Sequence, residues 1–96
     1  MQGKGIEKYT NGNSYEGDFF EDERHGNGKM IYRNGTWYEG QWANGEKNGE
    51  GKELLADNRR FEGIFRDGVW DGPGTIIKTD GSVFKAVWKY DKKHKR

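Results

Sequence analysis

Few residues in this chain are able to carry out nucleophilic or acid–base catalysis. The 96 residues include two histidines, His25 and His94, two serines, Ser14 and Ser82, and no cysteine. A Ser-His-Asp triad needs its side chains within hydrogen-bond distance of one another. All four residues fall at predicted turns or near the end of the chain, so we predict that the protein is not an enzyme.

Three glutamates recur at equal intervals, and each stands between two aromatic residues. They are Glu16, Glu39 and Glu62. A pair of carboxylates can serve acid–base chemistry, but the alternation with aromatic residues favours a solvated outer face. Together with Asp18 and residues 21–23 they would form a line of negative potential, able to recognise a basic segment of a protein partner.

The chain carries no signal for a metal or a cofactor. His25 lies near the acidic residues 21–23, but a single histidine of this kind is more often a solvent-facing loop residue than a ligand. The Gly26-Asn27-Gly28 segment lacks the lysine and the following helix of a phosphate loop. We therefore predict that no metal and no cofactor is bound.

Glycine and aromatic residues recur along the chain with one constant period of 23 residues. One aromatic column holds Tyr15, Tyr38, Phe61 and Phe84, and a second holds Phe19, Trp42, Phe65 and Trp88. Fourteen of the 16 glycines fall into four further columns. Four tandem repeats therefore begin near residues 3, 26, 49 and 72, and residues 1–90 are predicted to form one domain.

Each repeat has the pattern of two short strands joined by a tight turn. Residues 15–19 alternate ring, charge, glycine, charge and ring, which is typical of a half-buried strand. An earlier strand in each repeat is predicted over residues 6–10, 29–33, 52–56 and 75–79. Asn-Gly, Asp-Gly and Asp-Asn pairs at residues 11–12, 34–35, 57–58 and 80–81 predict type I′ hairpin turns. Further turns at residues 44–45 and 67–68 link successive hairpins, and no segment predicts a helix.

The composition excludes a thick aliphatic core, because only 30% of the residues are hydrophobic and 15% are aromatic. We expect Gly17, Gly40 and Gly63 to let an aromatic ring of the neighbouring hairpin lie flat across the backbone. The rings would then stack along one axis and take the place of a core. Two strands per repeat, about 4.8 Å apart, predict a twisted ribbon roughly 35–40 Å long.

The Tyr-Glu-Gly-x-Phe/Trp segments at residues 15–19 and 38–42, with a Gly-x-Gly pair in every repeat, resemble the MORN (membrane occupation and recognition nexus) repeat. The resemblance covers residues 3–88 and departs at Lys85 and Ala86, as is typical of a terminal repeat. It implies an all-β fold, an elongated single-layer antiparallel β-meander of four hairpins. It also implies a non-catalytic scaffolding module, used as a structural subunit of a cytoskeletal or ciliary assembly.

Several aromatic residues lie outside the framework columns and are candidates for contact with a protein partner. They are Tyr32, Trp37, Trp70 and Tyr90, and the sequence leaves two interpretations open for them: lateral packing within the sheet, or a groove for an extended or helical peptide. Trp88, in the last predicted strand, is a further candidate. A single-layer meander also leaves an aromatic face and two open edges, which suit strand addition or an edge-to-edge oligomer.

The charges divide into two parts of opposite sign. Residues 89–96 hold five basic residues and one acidic residue, a net charge of +4, so the other 88 carry −3 of the total of +1. The basic tail, residues 91–96, contains Lys92, Lys93, Lys95 and Arg96, and is either a solubilising terminus or a contact for an anionic membrane or an acidic protein. The acidic body argues against nucleic acid as a partner. Without a signal segment or a long apolar run, a cytoplasmic location is expected.

Overall fold

A computed structural model describes residues 3–89 of the chain. Within this range eight antiparallel strands form one sheet, and no helix is present. The strands are β1 (Gly3–Lys8), β2 (Ser14–Phe20), β3 (Glu23–Ile31), β4 (Trp37–Ala43), β5 (Glu46–Leu54), β6 (Arg60–Arg66), β7 (Val69–Ile77) and β8 (Val83–Trp88). Each strand pairs with its neighbours in sequence, so the predicted single-layer meander is confirmed. The molecule measures 39 × 28 × 24 Å, in agreement with the predicted ribbon length.

The odd-numbered strands begin earlier in each repeat than predicted. β3, for example, begins at Glu23 rather than at residue 29, because the Gly-x-Gly segment belongs to the ladder. Gly28 pairs with Gly17 on one side and with Gly40 on the other. The predicted start was wrong because glycine usually weakens a strand, whereas here pairing on both sides holds it in the sheet.

The prediction of type I′ turns inside each hairpin was also wrong. In the second hairpin only Gly35 has a positive φ, of 91°, whereas a type I′ turn needs two such residues. The connection is a five-residue loop in which the Tyr32 amide donates to the Thr36 carbonyl at 2.8 Å. The Asn34 carboxamide oxygen accepts the Thr36 amide at 3.0 Å, so Asn34 stabilises a wider turn with its side chain.

Two-residue turns with both residues at positive φ occur instead between the hairpins. Asn44 and Gly45 have φ values of 52° and 83°, and Asp67 and Gly68 have values of 49° and 88°. The first link, residues 21–22, has the same geometry with Glu21 at 51° and Asp22 at 66°. Sequence patterns missed this link because neither residue is glycine or asparagine.

The two aromatic columns form one continuous ladder on a single face of the sheet, here called the ring face. Tyr15, Tyr38 and Phe61 have no solvent exposure. Tyr15 contacts Trp42 of the next repeat with ring centroids 5.4 Å apart, and Tyr38 contacts Phe65 at 4.8 Å. Interplanar angles of 88° and 80° make these contacts edge-to-face, a favoured arrangement for aromatic pairs. The predicted ring ladder is thus confirmed, although these neighbouring rings meet edge-to-face and do not lie flat on one another.

A row of paired glycines crosses the sheet beneath the ladder. A Cβ atom added to Gly40 would lie 2.5 Å from the Cα of Gly51 and from the carbonyl oxygen of Glu50. It would also lie 2.9 Å from the Tyr38 hydroxyl, a group of the same strand. The expectation that a neighbouring hairpin places its ring over Gly40 was therefore wrong. The same expectation is correct for Gly51, because a Cβ atom added to Gly51 would meet the Tyr38 ring of the preceding hairpin.

Candidate partner-binding surfaces

The candidate contact residues divide between the ring face and the opposite side, here called the outer face. Tyr32, Trp70 and Trp88 are partly buried and pack against the ring ladder. By strand alternation from the ring columns, Trp37 and the three glutamates at positions 16, 39 and 62 lie on the outer face. Tyr90 and the basic residues Lys92, Lys93, Lys95 and Arg96 lie outside the described residues.

Trp70 and Trp88 make the contacts of core residues. The Trp70 ring stacks on Phe61 with centroids 4.0 Å apart and an interplanar angle of 9°. Its indole nitrogen donates to a carboxylate oxygen of Glu53 at 2.9 Å. Trp88 closes the ladder with edge-to-face contacts to Phe61 at 5.3 Å and to Trp70 at 5.2 Å. These contacts favour the lateral-packing interpretation for Trp70, and they make Trp88 part of the ring ladder, as its column predicts.

Two basic residues lie over the rings at positions that correspond to Trp70 in earlier repeats. The Arg24 guanidinium lies 5.0 Å from the Trp42 ring centroid, and donates to the Tyr9 hydroxyl at 2.9 Å and to the Gly45 carbonyl at 2.7 Å. Lys47 lies 5.3 Å from the Tyr38 ring centroid. Sequence reasoning missed both residues, although the period of the repeat would have placed them in one column with Trp70.

Lys47 is neutralised within the sheet, whereas the hydrogen-bond acceptors of Arg24 are uncharged. The Lys47 ammonium nitrogen lies 3.1 Å from a Glu53 carboxylate oxygen, and both side chains are largely buried. The Nε of Arg24 is buried and donates no hydrogen bond within the described part of the chain. Tyr9, Asn13 and Tyr32 border an open groove of about 470 Å³ beside these two cations.

The two buried tyrosines of the ladder donate hydrogen bonds to the backbone. The Tyr15 hydroxyl donates to the carbonyl of Asp18, and the Tyr38 hydroxyl to that of Gln41, each at 2.8 Å. Burial raises the pKa of Tyr15 to about 12, and it also raises the pKa of Tyr38. Phe61 shows that the hydroxyl is not required for the ring contacts, because it occupies the same column.

These pKa shifts predict a loss of stability in alkaline solution. In the unfolded chain a tyrosine ionises near pH 10, whereas Tyr15 in the folded chain keeps its proton to about pH 12. The unfolded state therefore loses protons first, and the free energy of unfolding should fall as the pH rises from about 10 to about 12. Urea unfolding at a series of pH values in this range should show that the free energy of unfolding falls less steeply with pH in the Tyr15→Phe, Tyr38→Phe double variant than in the wild type. Equal slopes for the two proteins would contradict this account.

The three outer-face glutamates do not form a continuous negative line. In the ladder Glu16 faces Lys29, and Lys29 also faces Glu39. Glu39 faces Lys52, which in turn faces Glu62. The predicted acidic line was therefore wrong, because the odd-numbered strands insert a lysine between successive glutamates. The row has alternating charges, which stabilise cross-strand pairs.

An apolar row lies next to this charged row on the outer face. It consists of Ile31, Trp37 and Leu54, which face one another on β3, β4 and β5 and are here called the outer apolar row. Ile31 is 44% exposed, and the other two side chains are partly buried. The ammonium group of Lys29 lies 5.1 Å from the Trp37 ring centroid. None of these three residues is part of the core on the ring face.

An open groove of about 650 Å³ runs along the charged row in the first half of the sheet. Its polar and apolar walls include Ile6, Glu16, Lys29 and Glu39. Backbone of the glycine row, at Gly5, Gly17, Gly28 and Gly40, also lines it.

The chain matches the sequence model of a known protein family. The sequence model of the MORN repeat matches residues 1–14, 15–37, 38–58 and 61–83. The chain is a member of the MORN repeat family. Three of the matched segments begin at the fully buried ring of a repeat, Tyr15, Tyr38 or Phe61. Among curated proteins, none matches the chain significantly.

MORN repeats are modules that bind proteins or membranes, and they are not catalytic. Within residues 3–89 no group of three or more His, Asp or Glu side chains is placed to hold a metal ion. In the same range, no helix has the length and apolar character needed to cross a membrane. Among the described residues, the two grooves, the alternating charges and the outer apolar row are surface features that a partner could contact.

Proposed function

We propose that this MORN protein is a non-catalytic scaffolding subunit of a larger assembly of the cytoskeletal or ciliary kind, and that it acts in the cytoplasm. Its protein partner would bind the outer face. The observation that supports this surface is the outer apolar row, which keeps Ile31, Trp37 and Leu54 at the surface although the core is complete without them. Apolar side chains gathered at a surface typically mark an interaction site.

The neighbouring charged row defines the chemistry of the partner. Glu16, Lys29 and Glu39 alternate in sign from one strand to the next, about 4.8 Å apart. A matching segment is amphipathic, with an apolar side on the outer apolar row and a side of alternating charges against these three residues. Trp37 is the expected anchor, because partly buried tryptophans often dominate binding energy.

Two variants test this surface without entering the core. Trp37→Ala removes the anchor, and Glu39→Lys reverses one charge of the row. Affinity purification from the native source, followed by reconstitution with the purified partner, should give a stoichiometric complex. Each variant should weaken that complex about tenfold or more, since loss of an anchor or reversal of a charge typically costs about 1.4 kcal/mol or more.

The matched control is Glu23→Lys, which makes the same charge reversal in an exposed residue at the first position of β3. It should leave the complex unchanged. Equal binding by wild type, Trp37→Ala and Glu39→Lys would contradict the proposed surface. A native source that yields no stoichiometric protein partner would contradict the scaffolding function itself.

An anionic membrane is the second candidate partner, favoured by the charge of the basic tail. Lys92, Lys93, Lys95 and Arg96 are concentrated in the last residues of a chain that is otherwise acidic. Each basic residue near an anionic leaflet contributes about 1 kcal/mol. If lipid is the partner, vesicles containing phosphatidylserine should sediment the wild type but not a variant with these four residues replaced by glutamine. Vesicles of phosphatidylcholine alone are the control, and no sedimentation in physiological salt excludes this candidate.

A further inference from the structure

The last strand, β8, presents an apolar edge. Val83 is 58% exposed, Phe84 54% and Val87 78%. Phe84 occupies the column in which Tyr15 and the equivalent rings of the next two repeats have no exposure. Among the described strands β8 pairs with β7 alone, so its other side offers backbone groups to a further strand. An exposed apolar edge of this kind readily pairs with another strand.

The opposite edge of the sheet differs in its side chains. β1 likewise pairs with only one of the described strands. It carries three exposed charged residues, Lys4, Glu7 and Lys8, around one exposed apolar residue, Ile6. Charged side chains on an edge strand discourage further pairing. Of the two edges, β8 is therefore the better suited to contact another chain.

Ala86 prevents β8 from accepting a strand in the register used inside the sheet. It stands in the column of Gly17, Gly40 and Gly63. A Cβ atom at Gly63 would lie 2.8 Å from the Cα of Gly74, in the strand that follows, and Gly40 has an even closer contact. Within the described residues no strand follows β8, so the Ala86 methyl group has room.

The same methyl group would collide with β1 of another copy. Continuation of the repeat would place Gly5 of that copy opposite Ala86, as Gly51 stands opposite Gly40. Head-to-tail growth with the close strand approach of the glycine row is therefore sterically excluded. Open-ended contacts of that type generate filaments, whereas symmetric contacts close as dimers.

We propose that two copies of this chain pair through β8, antiparallel and two-fold symmetric about Ala86, and that the Ala86 methyl group excludes the competing head-to-tail contact of β8 with β1, which would grow into a filament. The contact uses the sheet edge and does not depend on the partner proposed for the outer face. It is small, because β8 has six residues, and a weak dimer is therefore expected.

Symmetric pairing supplies the neighbours that the exposed side chains of β8 lack. With Ala86 facing Ala86, Phe84 faces Trp88 of the second copy. This restores an aromatic neighbour to Phe84, as Tyr15 has in Trp42. On the outer face Val87 meets the aliphatic part of Lys85 from the second copy. Facing residues in a regular antiparallel pair have Cβ atoms about 4.5–5.5 Å apart, which accommodates two methyl groups.

Sedimentation velocity of the full chain from about 1 µM to about 1 mM tests the dimer. The wild type should pass from monomer to dimer across this range. Val87→Lys places a charge at an exposed position in the contact, so it should raise the dissociation constant about tenfold or more. Ile6→Lys is the matched control, because it makes the same change at a residue 63% exposed on β1. It should dimerise as the wild type does.

Ala86→Gly tests the second half of the proposal. Without the methyl group, β8 can pair head-to-tail with β1 of another copy. This variant should therefore form species larger than a dimer at high concentration. A variant that stops at the dimer would overturn the role assigned to Ala86. A wild type that remains monomeric throughout, or an Ile6→Lys variant that dissociates like Val87→Lys, would overturn the β8 contact.

Discussion

Gly40→Val is expected to remove a large part of the stability of this protein. The new Cβ atom would lie 2.5 Å from two backbone atoms of the next strand, the Gly51 Cα and the Glu50 carbonyl oxygen. Backbone held by a ladder on both sides cannot move aside as a flexible side chain does. Overpacked cores usually lose about 1–3 kcal/mol, and we expect about 3 kcal/mol or more here because the obstacle is backbone.

Thermal and urea unfolding measure this loss. For a domain of this size, about 3 kcal/mol corresponds to a fall in Tm of about 12 °C or more. Glu39→Val is the matched control, since it places the same residue at the neighbouring, exposed position of β4. Valine suits strands, so the control should lose less than about 1 kcal/mol. A similar Tm for both variants would refute the close approach of the strands at the glycine row.

Trp42→Ala is expected to have an effect of similar size for a different reason. The Trp42 ring is 5% exposed and contacts Tyr15 and Tyr38, in two successive repeats. Its indole nitrogen donates to the Gly28 carbonyl at 3.0 Å. Truncation leaves a cavity in the middle of the ladder, and such changes cost about 3–5 kcal/mol. Since each hairpin is stabilised by its neighbours, the loss should lower the stability of the whole sheet.

A second tryptophan of the same strand provides the control for this variant. Trp37 is on the outer face and outside the core, so Trp37→Ala should cost less than half as much in free energy of unfolding. Trp42→Phe keeps a ring in a column that Phe19 and Phe65 also occupy, and it should recover most of the stability. If Trp37→Ala and Trp42→Ala lower the Tm equally, the ring ladder is not the core of the protein.

The fold was predictable because both of its signals are local and periodic. Alternation places successive side chains on opposite faces of a strand. The constant spacing of the repeats then brings Tyr15, Tyr38 and Phe61 to equivalent positions. The column of Gly40 was equally clear, but the role predicted for Gly40 was wrong, because an added Cβ meets the backbone of the next strand and not a ring of the neighbouring hairpin.

The surfaces were less predictable, because they depend on which strands lie side by side. Sequence spacing revealed three equally spaced glutamates but not the lysines between them. Lys29 and Lys52 come from the other strand of each repeat, and only the register places them beside Glu39. Turn geometry was missed for a different reason, which is local. Asn34 accepts a hydrogen bond with its side chain and so widens a turn that Asn-Gly otherwise makes tight.

The amino-acid sequence alone determined the repeat, the strand faces, the ring columns and the membership of the chain in the MORN family. These follow from the alternation within each strand and from the period of the repeat, which need no knowledge of distant contacts. Only the tertiary structure decided which charges become neighbours, why glycine is required at Gly40, and why Ala86 is tolerated in its place on β8. Each of these depends on the backbone of an adjacent strand, and that neighbour is set by pairing across the sheet.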